Sequence, residues 1–186
     1  MTLLILGIVL WYAAHLFKRV APGKRAAMQA RMGNGSKGVM AGIIALSVVL
    51  MVFGYKAAEF VPVYETPSWG VHLNNLMMLV AIALFGAGNS KGRARSLMRH
   101  PMLTGMLVWA IAHLVVNGDQ ASLVLFGGLG LWAVMSMLIV NAAEGPWQRP
   151  APGPAKGDVK LGVITLVLFA VFAGIHGLVG PSPFPG

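Results

Sequence analysis

The chain contains no cysteine, which excludes disulfides, thiolate metal sites, cysteine nucleophiles and covalent haem attachment through C-x-x-C-H. Acid is scarce as well: there are five Asp and Glu among 186 residues, and none lies inside an apolar run. A carboxylate pair for hydrolysis and a Ser-His-Asp triad therefore lack candidates. Proton pumps and ion-coupled transporters keep charged groups within the membrane, so the same scarcity weighs against both. Gly33-Asn34-Gly35-Ser36-Lys37 lacks the spacing of a phosphate-binding loop. Charged residues make up 10% of the chain and hydrophobic ones 57%, whereas a soluble domain carries about 25% charged. A chain so short of charge cannot cover a water-facing surface, and it buries its apolar surface in lipid.

Six apolar stretches have the roughly 17–25 residues that a membrane helix needs: Met1–Phe17, Gly38–Tyr55, Trp69–Asn89, Pro101–Gly118, Gln120–Ala143 and Leu161–Gly180. No Asp, Glu, Lys or Arg interrupts them. The expected fold is all-α, a polytopic membrane protein of six transmembrane helices forming a single domain over residues 1–186. Its first partner is the lipid bilayer.

The net charge of +9 raises nucleic acid as a partner, but the placement of the bases argues against it. Lys56 is the one basic residue outside the first, third and fifth connections. Positive loops stay cytoplasmic during insertion, so those three connections are expected inside and both termini on the periplasmic side of an inner membrane. Lys18-Arg19 directly follow the first apolar run, and no base precedes it. That order suits an uncleaved first span rather than a signal peptide. Between the breakers Pro22-Gly23 and Gly33-Asn34-Gly35, residues Lys24–Met32 are expected to form a basic surface helix. Asp119 is expected to cap the fifth span, and Pro146–Pro154 to form an extended linker.

Five histidines remain as chemistry-bearing groups: His15, His72, His100, His113 and His176. His72, His100 and His176 lie near span ends, where an imidazole can simply face headgroups and water. His15 and His113 lie within their spans. The first span reads Gly7-x-x-x-Trp11-x-x-x-His15 and the fourth Gly105-x-x-x-Trp109-x-x-x-His113, and spacing by four keeps each triplet on one helix face. A small residue admits a neighbouring backbone or a flat ring, and an aromatic one turn from a ligand can wall a planar cofactor. The plain alternative is a helix–helix hydrogen bond, since Gly and Trp are common in membrane helices. The two spans run in opposite directions, which admits a three-plus-three inverted repeat. Such a repeat puts His15 and His113 roughly 12 Å apart in depth, about the separation of the Cα atoms of two histidines on one iron, provided the axis or the helices tilt.

The run Arg99-His100-Pro101-Met102, Trp109-Ala110-x-Ala112-His113-Leu114, Asn117-Gly118-Asp119, Leu125-Phe126-Gly127-Gly128 and Trp132-Ala133, with His15 before Val20-Ala21-Pro22-Gly23 and Gly88-Asn89 before the third connection, resembles the NnrU family. Similarity extends from residue 1 to about residue 140 and is weaker in the last span. NnrU proteins are bacterial inner-membrane proteins named for gene neighbourhoods of nitrite and nitric oxide reduction. The family includes a plant 15-cis-zeta-carotene isomerase with non-covalent haem b. The resemblance implies His15 and His113 as axial ligands, the pair that the spacing also selects. The chain departs from the isomerase at Leu114 and Val115-Val116, and it lacks a later His-rich segment near Trp132.

Three functions follow as expectations. The first is a membrane protein that binds haem b non-covalently through His15 and His113, walled by Trp11 and Trp109 beside Gly7 and Gly105, with nitric oxide or an apolar small molecule as ligand. Arg99 and Arg95 are the nearest inner cations for its propionates. The second is a haem-dependent isomerase of a polyene such as a 15-cis carotenoid. The third is a cofactor-free accessory protein whose histidines merely pack.

Overall fold

A computed structural model describes residues 1–180 and 182–184. Seven helices are present among them: α1 (Thr2–Val20), α2 (Pro22–Met32), α3 (Gly35–Lys56), α4 (Gly70–Ala87), α5 (Pro101–Val116), α6 (Gln120–Glu144) and α7 (Ala155–Val179). No strand occurs among the described residues. Five of the helices are long and apolar enough to cross a membrane; α5 is equally apolar but has 16 residues. Large apolar side chains point outward, with Leu6, Phe53, Leu76 and Leu138 each more than half exposed, while the buried positions are mostly Ala, Gly and Ser. That inversion is the packing of helices in lipid, where small residues bring backbones together and apolar bulk faces the acyl chains. The protein is a polytopic membrane protein.

The helix limits follow local chemistry. Helix α1 runs three residues past the expected Phe17 and stops at Ala21, because the residue before a proline is driven out of the α region. The basic surface helix forms, with Pro22 at its first position and Gly33 (φ 54°) ending it in the left-handed region. Helix α7 starts six residues before the expected Leu161, so Lys156, Asp158 and Lys160 are helical rather than part of a loop. Asp158 lies in its first turn, where a carboxylate suits the helix dipole, and its Oδ1 accepts the Ala94 N–H at 3.0 Å.

The chain divides into two compact units, the first Met1–Val63 with Asp119–Gly128, the second Tyr64–Gly118 with Leu129 onward. In the first unit α1 and α3 pack as an antiparallel pair. In the second, α4 packs on both α5 and α7. Each pair closes on glycine: a Cβ on Gly54 would strike the Leu4 backbone, and one on Gly70 would lie 3.1 Å from the Val115 carbonyl.

The start of α6 is capped as the sequence suggests. Asp119 Oδ1 accepts the Ser122 N–H at 3.0 Å, its Oδ2 accepts the Ser122 hydroxyl, and Ser122 Oγ lies 2.8 Å from the Tyr55 hydroxyl. Asp119 and Ser122 are both buried. Asp119→Asn is expected to keep thermal stability within about 1 kcal/mol, since Asn caps nearly as well. Ser122→Ala strands the Tyr55 hydroxyl and a carboxylate oxygen, and it is expected to cost about 1–3 kcal/mol. Thermal melts followed by size-exclusion chromatography give the order, and an Asn variant weaker than the Ala variant would show that charge rather than capping holds the turn.

Leu123–Gly127, inside α6, winds as a π turn. Directly after it, the Tyr12 hydroxyl donates to the Gly128 carbonyl at 2.6 Å, which ties this part of α6 to α1.

Candidate functional site

In the first unit, α1 presents Gly7, Trp11 and His15 on successive turns. A Cβ on Gly7 would lie 2.8 Å from both Met51 N and Ser47 O, so this glycine admits the backbone of α3. The His15 Nδ1 lies 2.9 Å from the Trp11 carbonyl oxygen, and the two rings stack with centroids 4.0 Å apart. A carbonyl can only accept, so Nδ1 carries the proton and Nε2 is the ring's lone-pair nitrogen.

The second unit repeats this construction on α5. A Cβ on Gly105 would lie 3.0 Å from the Ala81 carbonyl and 3.2 Å from Phe85 N, again admitting a helix backbone, that of α4. His113 Nδ1 lies 2.9 Å from the Trp109 carbonyl oxygen, with ring centroids 4.9 Å apart. Of the two things a small residue can admit, the structure shows the neighbouring backbone at both glycines. Both indoles lie against their imidazoles.

Beside His113 the structure brings a residue that the sequence analysis left at the interface. The His176 ring, on α7, has its centroid 6.5 Å from that of His113. Its Nδ1 lies 3.1 Å from the Phe172 carbonyl oxygen, so its Nε2 is also the lone-pair nitrogen. The signal was in the sequence: Phe172-x-x-x-His176 is a third aromatic-x-x-x-His, lacking only the glycine four residues earlier. Two asparagines one turn inside the N-terminal end of α4 lie in the same unit. Asn75 Nδ2 donates to the Pro183 carbonyl at 2.8 Å, and Asn74 Oδ1 is buried without a hydrogen-bond donor.

The remaining histidines have ordinary surroundings. His72 is exposed, and His100 Nε2 lies 2.8 Å from Asn141 Oδ1, joining the start of α5 to the last turns of α6. Arg99 donates to the Gly145 carbonyl at 2.6 Å and pairs with Glu144 at 3.4 Å, so its charge is already engaged within the protein. Arg95 is exposed. Among the described residues, no group of three or more His, Cys, Asp or Glu is placed to hold a metal ion.

A family model described as NnrU protein matches residues 3–183. The chain belongs to the NnrU family. The match includes the last span, where the sequence resemblance is weakest, and so extends over α7 and His176. No curated protein matches the chain, and neither does any solved structure.

Proposed function

We propose that this NnrU protein binds one haem b non-covalently, and that His113 and His15 are the residues that would hold it. The observation that supports the reading is the shared anchoring of the two imidazoles. In each, Nδ1–H donates to the carbonyl four residues back, which fixes the tautomer and the ring and leaves Nε2 as the nitrogen that binds a metal. A porphyrin brings four ligands of its own, so two histidines suffice. The chain's part is to hold the rings: the backbone carbonyls orient them, Trp11 and Trp109 restrict their rotation, and Gly7 and Gly105 let the neighbouring helices support α1 and α5. When bound, haem would supply a redox-active iron with affinity for a diatomic such as nitric oxide. This fits an association with nitrite and nitric oxide metabolism.

The second unit favours one variation. Two imidazoles that would hold one metal between them, each nitrogen at about 2 Å, would have ring centroids on the order of 6 Å apart. The 6.5 Å between His113 and His176 makes His176 the competing second ligand. Single substitutions of the three histidines, scored by haem content, separate the two pairs.

We also propose that the protein sits in a bacterial inner membrane with both termini periplasmic, on the charge asymmetry of its connections. The absence of native cysteine allows single cysteines to report accessibility without background. In intact spheroplasts, Ser182→Cys is expected to react with a membrane-impermeant maleimide, whereas Gln148→Cys reacts only after permeabilisation. Both residues are exposed. The reverse pattern would invert the orientation.

A further inference from the structure

The third and fifth connections form a fastened platform at one end of the second unit. Arg149 Nε donates to the Ser96 carbonyl at 2.7 Å, Gly153 N to the Gly92 carbonyl at 3.3 Å, and Ala94 N to Asp158 at 3.0 Å. Glycines at 92, 153 and 157 allow this closeness, since a Cβ at any of them would collide with the facing backbone or with Asp158. Two cavities of about 340 and 400 Å³ open in this platform and share Arg99, His100 and Trp147 as walls.

Their lining has two characters. Arg95, Arg99 and His100 supply positive charge or donors, while Met98, Met102 and Leu103 continue the first cavity into apolar surface. The cavities lie where α5 begins and α6 ends, the level at which a span passes from hydrocarbon to headgroups, with an aromatic at the boundary. The nearby acids are committed: Glu144 to Arg99 and Asp158 to the Ala94 amide. No described residue pairs with the Arg95 guanidinium. The first turn of α5, Pro101–Leu103, adds the positive end of its dipole.

An uncompensated cation above an apolar floor at the membrane boundary suits an anion that carries an acyl chain. We propose that this platform is a binding site for an anionic phospholipid, with the headgroup phosphate at Arg95 and an acyl chain along Met102 and Leu103. Because the connections are already tied together, binding does not have to order them. Basic pockets between membrane helices recognise anionic headgroups by this chemistry. The site is separate from the histidines, and its test does not depend on haem.

Native mass spectrometry of the detergent-purified full-length protein, incubated with equal amounts of phosphatidylglycerol and phosphatidylethanolamine, tests the proposal. Phosphatidylglycerol adducts are expected to dominate. Arg95→Gln, which removes a solvent-facing charge and no internal bond, is expected to reduce them about fivefold. Leu103→Trp keeps every charge but fills the apolar floor, and it is expected to reduce them as well. Lys24→Gln, a basic residue of α2 that lines a different cavity with Met28 and Met32, is expected to leave them at the wild-type level. Three results would each overturn the proposal: wild-type adducts in Arg95→Gln, an equal loss in Lys24→Gln, which indicates general surface charge, or adducts abolished by excess inorganic phosphate but untouched by Leu103→Trp, which indicates a free-phosphate site.

Discussion

Detergent-purified protein is expected to give a b-type pyridine haemochrome spectrum at about one equivalent per chain, falling below about a tenth of that in His113→Ala. The effect is expected to be large because His113 is common to both ligand pairs. His15→Ala then decides between them. Loss in His15→Ala with retention in His176→Ala fixes the pair as His15 and His113. The opposite result fixes it as His113 and His176, the pair whose rings lie 6.5 Å apart. His72→Ala and His100→Ala are expected to retain haem, the latter because its imidazole already serves Asn141. Trp109→Leu leaves the Trp109 backbone carbonyl in place as acceptor for Nδ1, so its haem content is expected to stay within about twofold of wild type. A lost ligand is distinguished from a misfolded chain by His113→Gly, in which added imidazole is expected to restore the spectrum. Absence of haem from the wild type, even after haem-supplemented expression, would leave the accessory-protein reading in front.

The membrane architecture was legible because it rests on long, uninterrupted signals. Apolar runs of span length and basic residues confined to alternate connections survive any detail of packing. Boundaries were less legible where a polar segment gains a tertiary partner. Lys156, Asp158 and Lys160 read as loop because they are charged and follow a Pro-Gly-rich linker. They are helical because Asp158 finds the Ala94 amide and Gly157 fits against Lys91 and Gly92. No local pattern reports a partner more than 60 residues away. The π turn at Leu123–Gly127 was hidden too, since no proline or polar residue marks it in the sequence.

The candidate site was half legible. Spacing by four identified Trp11 with His15 and Trp109 with His113, and the anchoring bonds that the structure adds are a direct consequence of helical geometry. The approach of His176 to His113 was not legible, because it is set by how α7 packs in the second unit rather than by spacing within any one helix. The glycines were legible as close-approach residues, but what approaches them was not. A missing side chain fixes only that something comes near, and the partner is set by which helices pair.

Gly54→Ala is expected to destabilise the protein by about 1–3 kcal/mol, and Gly42→Ala, on the same helix, to stabilise it by up to about 1 kcal/mol. Both substitutions gain the same helix propensity, so their difference isolates packing. At Gly42 an added Cβ meets nothing within 4 Å. At Gly54 it meets the Leu4 backbone, with Leu4 Cα at 2.7 Å and Leu3 C at 2.8 Å. Backbone atoms cannot swing aside as a side-chain end can, so α1 and α3 must separate, and the pair loses van der Waals contact along its length. In lipid that loss is not offset by any tendency of the apolar faces to avoid the solvent, because the acyl chains are equally apolar. Gly7→Ala is expected to follow Gly54→Ala, since its Cβ would crowd Met51 N and Ser47 O at 2.8 Å. Melting of the three variants in one detergent checks the order. Equal stability of Gly54→Ala and Gly42→Ala would mean that α1 and α3 are not held at this distance.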